Sequence, residues 1–251
     1  MKISTYPDYD AMSKAAADLI SAAIERKPAA LCCFPSGDSP TGILRYLVQY
    51  AKEGRLDCSR VNFVGLDEWV GMDGRSEGSC RHYMDAHFFQ PLQIEPEKIH
   101  FFNGCAADLD AECKRMNDHI ARLGPIDIML VGLGLNGHIG LNEPGADPES
   151  YAHYMALDPL TVQVAQKYFR EETPLTKGIT LGLRHFREAR IPILIASGGR
   201  KAAIIARSLE GDITDEVPAT ILQALDAGLV FLDQDAAGKL GMSGISKEPG
   251  I

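Results

Sequence analysis

His138 and Glu143 stand five positions apart in a stretch that reads IDIMLVGLGLNGHIGLNEPG over residues 126–145. An imidazole and a carboxylate on one short loop make a pair suited to proton transfer near neutral pH. The loop carries Gly132, Gly134, Gly137 and Gly140, and glycine lets backbone turn sharply and approach a ligand closely. Its first six residues, 126–131, are an apolar run that fits a buried strand, so the pair would sit at a strand's carboxyl end. A solvated polar loop would have the same composition, and the pair gains weight only from agreement with other stretches. The spacing Gly132-x-Gly134-x-x-Gly137 also matches a dinucleotide fingerprint. That fingerprint needs a helix opening at the loop and an acidic residue ending the next strand about 20 positions on. Pro144 and Pro148 interrupt such a helix, and Asp158 lies in MALDPL, beside a proline, so the match is a coincidence.

A second carboxylate centre follows the apolar run VNFVGL at 61–66, where Asp67 and Glu68 adjoin Trp69, the chain's single tryptophan. Apolar surroundings penalise the charged carboxylate and raise its pKa, which suits a general base working near neutrality. Two further loops have the makings of anion sites. Pro35-Ser36-Gly37-Asp38-Ser39-Pro40 joins a strand at 29–34 to a helix expected at 41–52, with Ser39 as its cap and Pro40 in its first turn. Ser197-Gly198-Gly199-Arg200-Lys201 repeats the pattern between the apolar run 191–196 and a helix at 201–209. Free backbone amides and the positive end of a helix favour an anion at such a junction. Arg200 and Lys201 stand at a helix start, where the dipole disfavours cations unless an anion is near. Capped turns occur without ligands throughout α/β proteins, so neither loop is decisive alone.

These groups need elements to hold them, and the pattern is an alternation of strands and helices. Helical spacing marks residues 11–26, 41–52, 79–89, 108–123, 161–170, 201–209 and 218–225. Strand-like runs lie at 29–34, 61–66, 98–102, 126–131, 191–196 and 229–232. Residues 173–183 are turn-rich and then apolar, 146–160 read as an excursion over the site, and 243–251 as a loose tail. The glycine-rich, charged stretch 72–78 reads as a mobile lid. We expect one domain spanning 1–251, an α/β fold with a doubly wound, mainly parallel, Rossmann-like sheet and helices on both faces.

Net charge is −9, which argues against a nucleic-acid or anionic-membrane partner, and no apolar run approaches the ~20 residues of a membrane span. The N-terminus MKISTYPDYD lacks an apolar signal region. Six cysteines show no CxxC or Cys/His ligand spacing, which fits buried reduced thiols in the cytoplasm and no metal. Cys32 and Cys33, adjacent in a strand, would point to opposite faces. His82 and His87 are five apart, off the i, i+4 spacing of helical metal ligands, and read as surface or packing residues.

The stretches PSGDSPTGIL, FVGLDEWVGM, LVGLGLNGHIGLNEPG and ASGGRKA resemble, in that order, the glucosamine-6-phosphate deaminase/isomerase family, over residues 34–230. LDEWV and the TKGITLGL segment look nearest to members assigned as galactosamine-6-phosphate deaminase/isomerase. The resemblance implies a metal-free, cofactor-free enzyme whose partner is a small-molecule sugar phosphate. It opens the sugar ring, isomerises aldose to ketose and releases ammonia. It makes Asp67 the base that moves a proton between C2 and C1, and His138 the ring opener, aided by Glu143. It makes Ser36, Gly37, Asp38, Ser39, Lys201 and Lys167 the phosphate contacts. The family includes small and hexameric forms, so a homo-oligomer stays open.

Three residues depart from the family pattern. Asn136 replaces a frequent aspartate; its amide would accept one imidazole N–H and set the tautomer of His138, without stabilising the imidazolium as a carboxylate does. Asp38 replaces a usual glycine and should point away from a phosphate. Lys167 offers a point charge where arginine offers a planar fork. The related 6-phosphogluconolactonases share the fold and the Asp-Glu pair but lack NEPG after the histidine. Sugar-phosphate sensors of this fold carry a DNA-binding domain for which this chain has no residues to spare.

Overall fold

The computed structural model describes residues 1–241. In chain order the elements are β1 (Lys2–Tyr6), α1 (Tyr9–Arg26), β2 (Leu31–Phe34), α2 (Asp38–Lys52), β3 (Asn62–Gly65), β4 (Asp67–Trp69), α3 (Cys80–Met84), β5 (Ile99–His100), α4 (Leu109–Leu123), β6 (Ile128–Gly132), β7 (His153–Ala156), α5 (Pro159–Ala165), β8 (Lys177–Thr180), α6 (Leu183–Glu188), β9 (Ile191–Ala196), α7 (Ala202–Glu210) and β10 (Leu229–Asp233). Among the described residues seven strands form one parallel sheet, ordered β1-β10-β9-β6-β2-β3-β5. This is the mainly parallel α/β sheet expected above.

Period-two alternation divides the core. Cys32, Phe34, Phe63, Leu130 and Ile193 pack with Met12, Ile20, Ile43 and Phe88 on the face covered by α1 and α2. Cys33, Val64, Met129, Val131 and Leu194 pack with Met116, Ile120, Ile205 and Leu222 on the other face, under α4 and α7. Cys32 and Cys33 therefore face opposite ways, as their adjacency in a strand requires. The chain winds outward in both directions from the β2/β6 pair. Loops leaving those two carboxyl ends diverge, and a crevice opens between them.

Several elements differ from expectation. α2 starts at Asp38 with Gly37 at its N-cap, not at Thr41 with Ser39 as cap. Gly37 has φ 96°, a conformation open to glycine, and this turn brings the helix in early. The helix expected at 79–89 keeps its Ser79 cap, whose hydroxyl accepts from the His82 amide at 3.0 Å, but changes to a π-helical turn over Asp85–Phe89. The excursion 146–160 contains β7, and β4-β8-β7 form a separate antiparallel sheet. β1, an edge strand, and α6 were not expected either. Both β1 and β7 are partly exposed and are held by partners distant in sequence, so no local apolar pattern announces them. The tail expected at 243–251 lies outside the described residues.

Candidate active site

A cavity of about 1140 Å³ opens at the carboxyl ends of the sheet strands. Ser36, Gly37, Asp38, Ser39, Asp67, Asn136, His138, Lys167 and Lys201 all line it. The four stretches singled out in the sequence thus converge on one space. Glu143 does not reach the cavity wall; it is 2% exposed and lies behind His138.

Asp67 and Glu68 part ways because neighbours on a strand face opposite directions. Asp67 faces the cavity and is 8% exposed. Burial pushes its carboxyl up to about 7, against smaller opposing pulls from Cys80 and His138. Glu68 turns inward and is fully buried. Its carboxylate accepts the backbone N–H groups of Trp69 (2.9 Å), Cys80 (3.0 Å) and Arg81 (3.0 Å). Glu68 therefore ties β4 to the first turn of α3, a helix end that favours a negative charge, and it fixes the place of Asp67.

The His138 ring is held at one nitrogen by two partners. Its Nδ1 lies 3.0 Å from Thr161 Oγ1 and 3.3 Å from Glu143 Oε2. Asn136 does not touch the ring, which corrects the expectation that it sets the tautomer. Its Nδ2 donates to Glu143 Oε2 at 2.8 Å, and its Oδ1 accepts the backbone N–H of His138 at 3.2 Å. An amide with a donor and an acceptor can bridge carboxylate and backbone, so Asn136 positions Glu143, and Glu143 with Thr161 positions the ring. Burial pushes the Glu143 carboxyl up, but His138 and the bonds from Thr161 and Asn136 outweigh it and leave it below the ordinary carboxylate value. The ring lies flat over Gly134, where a Cβ would meet Cε1 and Nε2 at 2.4 Å.

The two anion loops face each other. Lys201 Nζ, from the turn before α7, donates to Ser39 Oγ in the first turn of α2 at 3.0 Å. Burial, then the nearby Lys167 charge, pushes the Lys201 ammonium down to about 8. Asp38 is 70% exposed at its side chain and pairs with Lys167 Nζ at 2.5 Å. Its carboxylate thus points outward, to a rim cation. Tyr83 donates to Gly37 O at 3.0 Å and Tyr9 to Asp38 O at 3.0 Å, and these bonds tether the loop. Thr161, Tyr9 and Tyr83 were missed by sequence reasoning; each acts through a pairing more than 20 positions away, and no local pattern signals it. His82 and His87 sit at the cavity mouth, and among the described residues no three His, Cys, Asp or Glu side chains are grouped to hold a metal ion.

Comparison with known proteins identifies the family. Residues 8–231 match the family model described as glucosamine-6-phosphate isomerases/6-phosphogluconolactonase. The chain is 35% identical over 239 residues to glucosamine-6-phosphate deaminase of Thermoanaerobacter sp. (strain X514), covering 94% of each chain. It is 37% identical over 225 residues to that of Lachnoclostridium phytofermentans, covering 89% of this chain and 95% of the relative. A solved monomeric glucosamine-6-phosphate deaminase superposes with a TM-score of 0.92 at 33% identity, over 95% of this chain and all of that one. The 6-phosphogluconolactonase of Trypanosoma cruzi shares the fold at a TM-score of 0.76 and 18% identity, over 95% and 96% of the two chains. The chain belongs to the family of glucosamine-6-phosphate isomerases and 6-phosphogluconolactonases.

Proposed function

We propose that this protein converts a hexosamine 6-phosphate into the corresponding ketose 6-phosphate and ammonia. The observation that carries this function is the meeting, in one cavity, of two separate proton-transfer groups with two cationic loops. Ring opening needs a proton removed from the anomeric hydroxyl and one delivered to the ring oxygen. His138, backed by Glu143 and Thr161, is the group for that step. Isomerisation needs a base at carbon, and Asp67 takes the C2 proton and returns it to C1. That shift, together with a proton passing from the amino nitrogen to O1, converts the open-chain amino aldehyde into an imine at C2 with a hydroxymethyl group at C1. Water then adds to the imine carbon and ammonia leaves, giving the ketose.

Asp67 suits this role because its carboxyl, held near 7, accepts and returns a proton at comparable cost. The 6-phosphate is assigned to Lys201, Ser36, Gly37, Ser39 and the rim Lys167, with Asp38 as the lysine's counter-charge. All these residues come from one chain, so a single copy carries the whole set of groups. The names of the relatives favour glucosamine 6-phosphate over its galactosamine epimer. Five of the six free thiols are buried, which suits a reducing compartment such as the cytoplasm, and no helix of the described residues is long and apolar enough to cross a membrane.

The test is to incubate the protein with glucosamine 6-phosphate and galactosamine 6-phosphate side by side and measure ammonia. Release from glucosamine 6-phosphate at the higher kcat/KM is expected. Hydrolysis of 6-phosphogluconolactone with no ammonia from either amino sugar would overturn the assignment.

A further inference from the structure

The loop that carries His138 and the strand that carries Asp67 meet on one neighbour, β8. Thr180, the last residue of β8, is fully buried and stands opposite Asp67 in the antiparallel pairing of β4 with β8. Opposed residues of such a pair share a face, so Thr180 lies on the side from which Asp67 reaches the cavity. Its hydroxyl accepts the backbone N–H of Leu141 at 3.2 Å. The hydroxyl's one hydrogen is shared between Leu66 O at 3.3 Å and Leu181 O at 3.2 Å. A single oxygen thus bonds the third residue after His138 and reaches the residue before Asp67. The approach is close: a Cβ at Gly140 would stand 2.8 Å from Thr180 Oγ1 and 3.2 Å from Leu66 Cγ. The residues beside it complete the seat. Leu141 packs over Gly178, where a Cβ would meet its Cδ1 at 2.3 Å, and Asn142 Nδ2 donates to Leu181 O at 2.9 Å.

We infer that Thr180 is a positioning residue that fixes the spacing between the ring-opening group and the carbon base. The role rests on His138 and Asp67 having the parts proposed above. Those parts fall on adjacent atoms of one sugar: the anomeric hydroxyl and ring oxygen for His138, C2 and C1 for Asp67. A sugar held by its phosphate has little room to shift between the two steps, so the two groups need a fixed separation. They come from separate segments, the loop after β6 and strand β4. Thr180 ties those segments at points three residues from His138 and one residue from Asp67. The tie uses both the acceptor and the donor of a hydroxyl. Valine, of nearly the same shape, offers neither and leaves the buried Leu141 N–H without this acceptor.

The experiment measures kcat and KM for ammonia release from glucosamine 6-phosphate in wild type, Thr180→Val and Thr180→Ser. Thr180→Val should lower kcat by roughly 10- to 100-fold, the scale of misplacing a reacting group by up to about 1 Å. KM should move by less than about threefold, because the groups assigned to phosphate lie on other loops. Thr180→Ser keeps the hydroxyl and should recover most of that kcat. This pattern supports the role. Thr180→Val with kcat within about threefold of wild type overturns it. So does a loss in Thr180→Ser equal to that in Thr180→Val, which would assign the effect to packing of the methyl group. If Thr180→Val fails to fold, Thr180→Cys takes its place: it matches serine in shape but carries the weaker thiol, and should fall well below Thr180→Ser in kcat at similar KM. Equal kcat in those two variants overturns the role. Wild type that releases no ammonia removes the function proposed above and the role with it. Wild-type turnover that Thr180→Val leaves unchanged removes the role of Thr180 alone.

Discussion

Gly134→Ala tests the geometry around His138 with a single methyl group. Gly134 is not among the residues with positive φ, so alanine fits its backbone and no strain arises there. The added Cβ would stand 2.4 Å from Cε1 and Nε2 of His138 and 2.5 Å from Nδ1. Carbon atoms in comfortable contact sit about 3.5–4.0 Å apart, so the ring must retreat by roughly 1 Å. The ring is anchored at 3.0 Å to Thr161 and 3.3 Å to Glu143, and a retreat of that size breaks at least one of these contacts. Misplacing a reacting group by about 1 Å costs on the order of 10²-fold in rate. Overpacking should also lower stability by about 1–3 kcal/mol. Ammonia release should therefore show kcat reduced about 10²-fold. KM should change little, because the groups assigned to phosphate lie on other loops. A folded variant with kcat within about threefold of wild type would refute the ring's position or its part in the reaction.

The pH profile of kcat/KM should be a narrow bell. Asp67 must be ionised, which sets an acid limb near 7, and Lys201 must be protonated, which sets an alkaline limb near 8; Lys201→Arg should extend the alkaline side. Asp67→Asn should raise thermal stability at pH 8. A carboxyl whose folded pKa is raised contributes stability that is present below its unfolded value, near 4, and lost as pH rises through 7, a difference on the order of a few kcal/mol. The gain should vanish below pH 4, and an equal gain at all pH values would count against a buried, titrating Asp67. Lys201→Ala should weaken binding of the phosphorylated sugar by roughly 1.5–3 kcal/mol and leave the unphosphorylated sugar nearly unaffected; equal losses for both would indicate a structural role.

Much of the site was legible because its loops follow buried strands. The runs 29–34, 61–66, 126–131 and 191–196 are apolar enough to announce β2, β3, β6 and β9, and the loops after them carry the chemistry. The same reasoning marked Asp67 and Glu68 as a carboxylate pair where a strand ends beside Trp69; the family resemblance, not the local pattern, singled out Asp67. What lay beyond reach depends on contacts between distant residues. Asn136 stands two positions from His138, and proximity suggested a bond to the ring; the turn at Gly137, with φ 90°, instead aims the amide at Glu143 and the backbone. Thr161 meets the ring only because α5 folds back over the cavity. β7 pairs with β8 without an apolar alternation of its own. Asp38 illustrates both sides: its conflict with a phosphate was plain from its charge, and its resolution, the ion pair with Lys167, spans 129 positions.

The central claim is that Asp67 moves a proton at carbon in an amino-sugar phosphate. Its most direct test follows exchange of the C2 hydrogen of glucosamine 6-phosphate with deuterated solvent, by NMR, in wild type and in Asp67→Asn. Wild type should exchange that hydrogen and release ammonia, while Asp67→Asn binds the substrate but exchanges nothing. Exchange at the wild-type rate in Asp67→Asn would contradict the account.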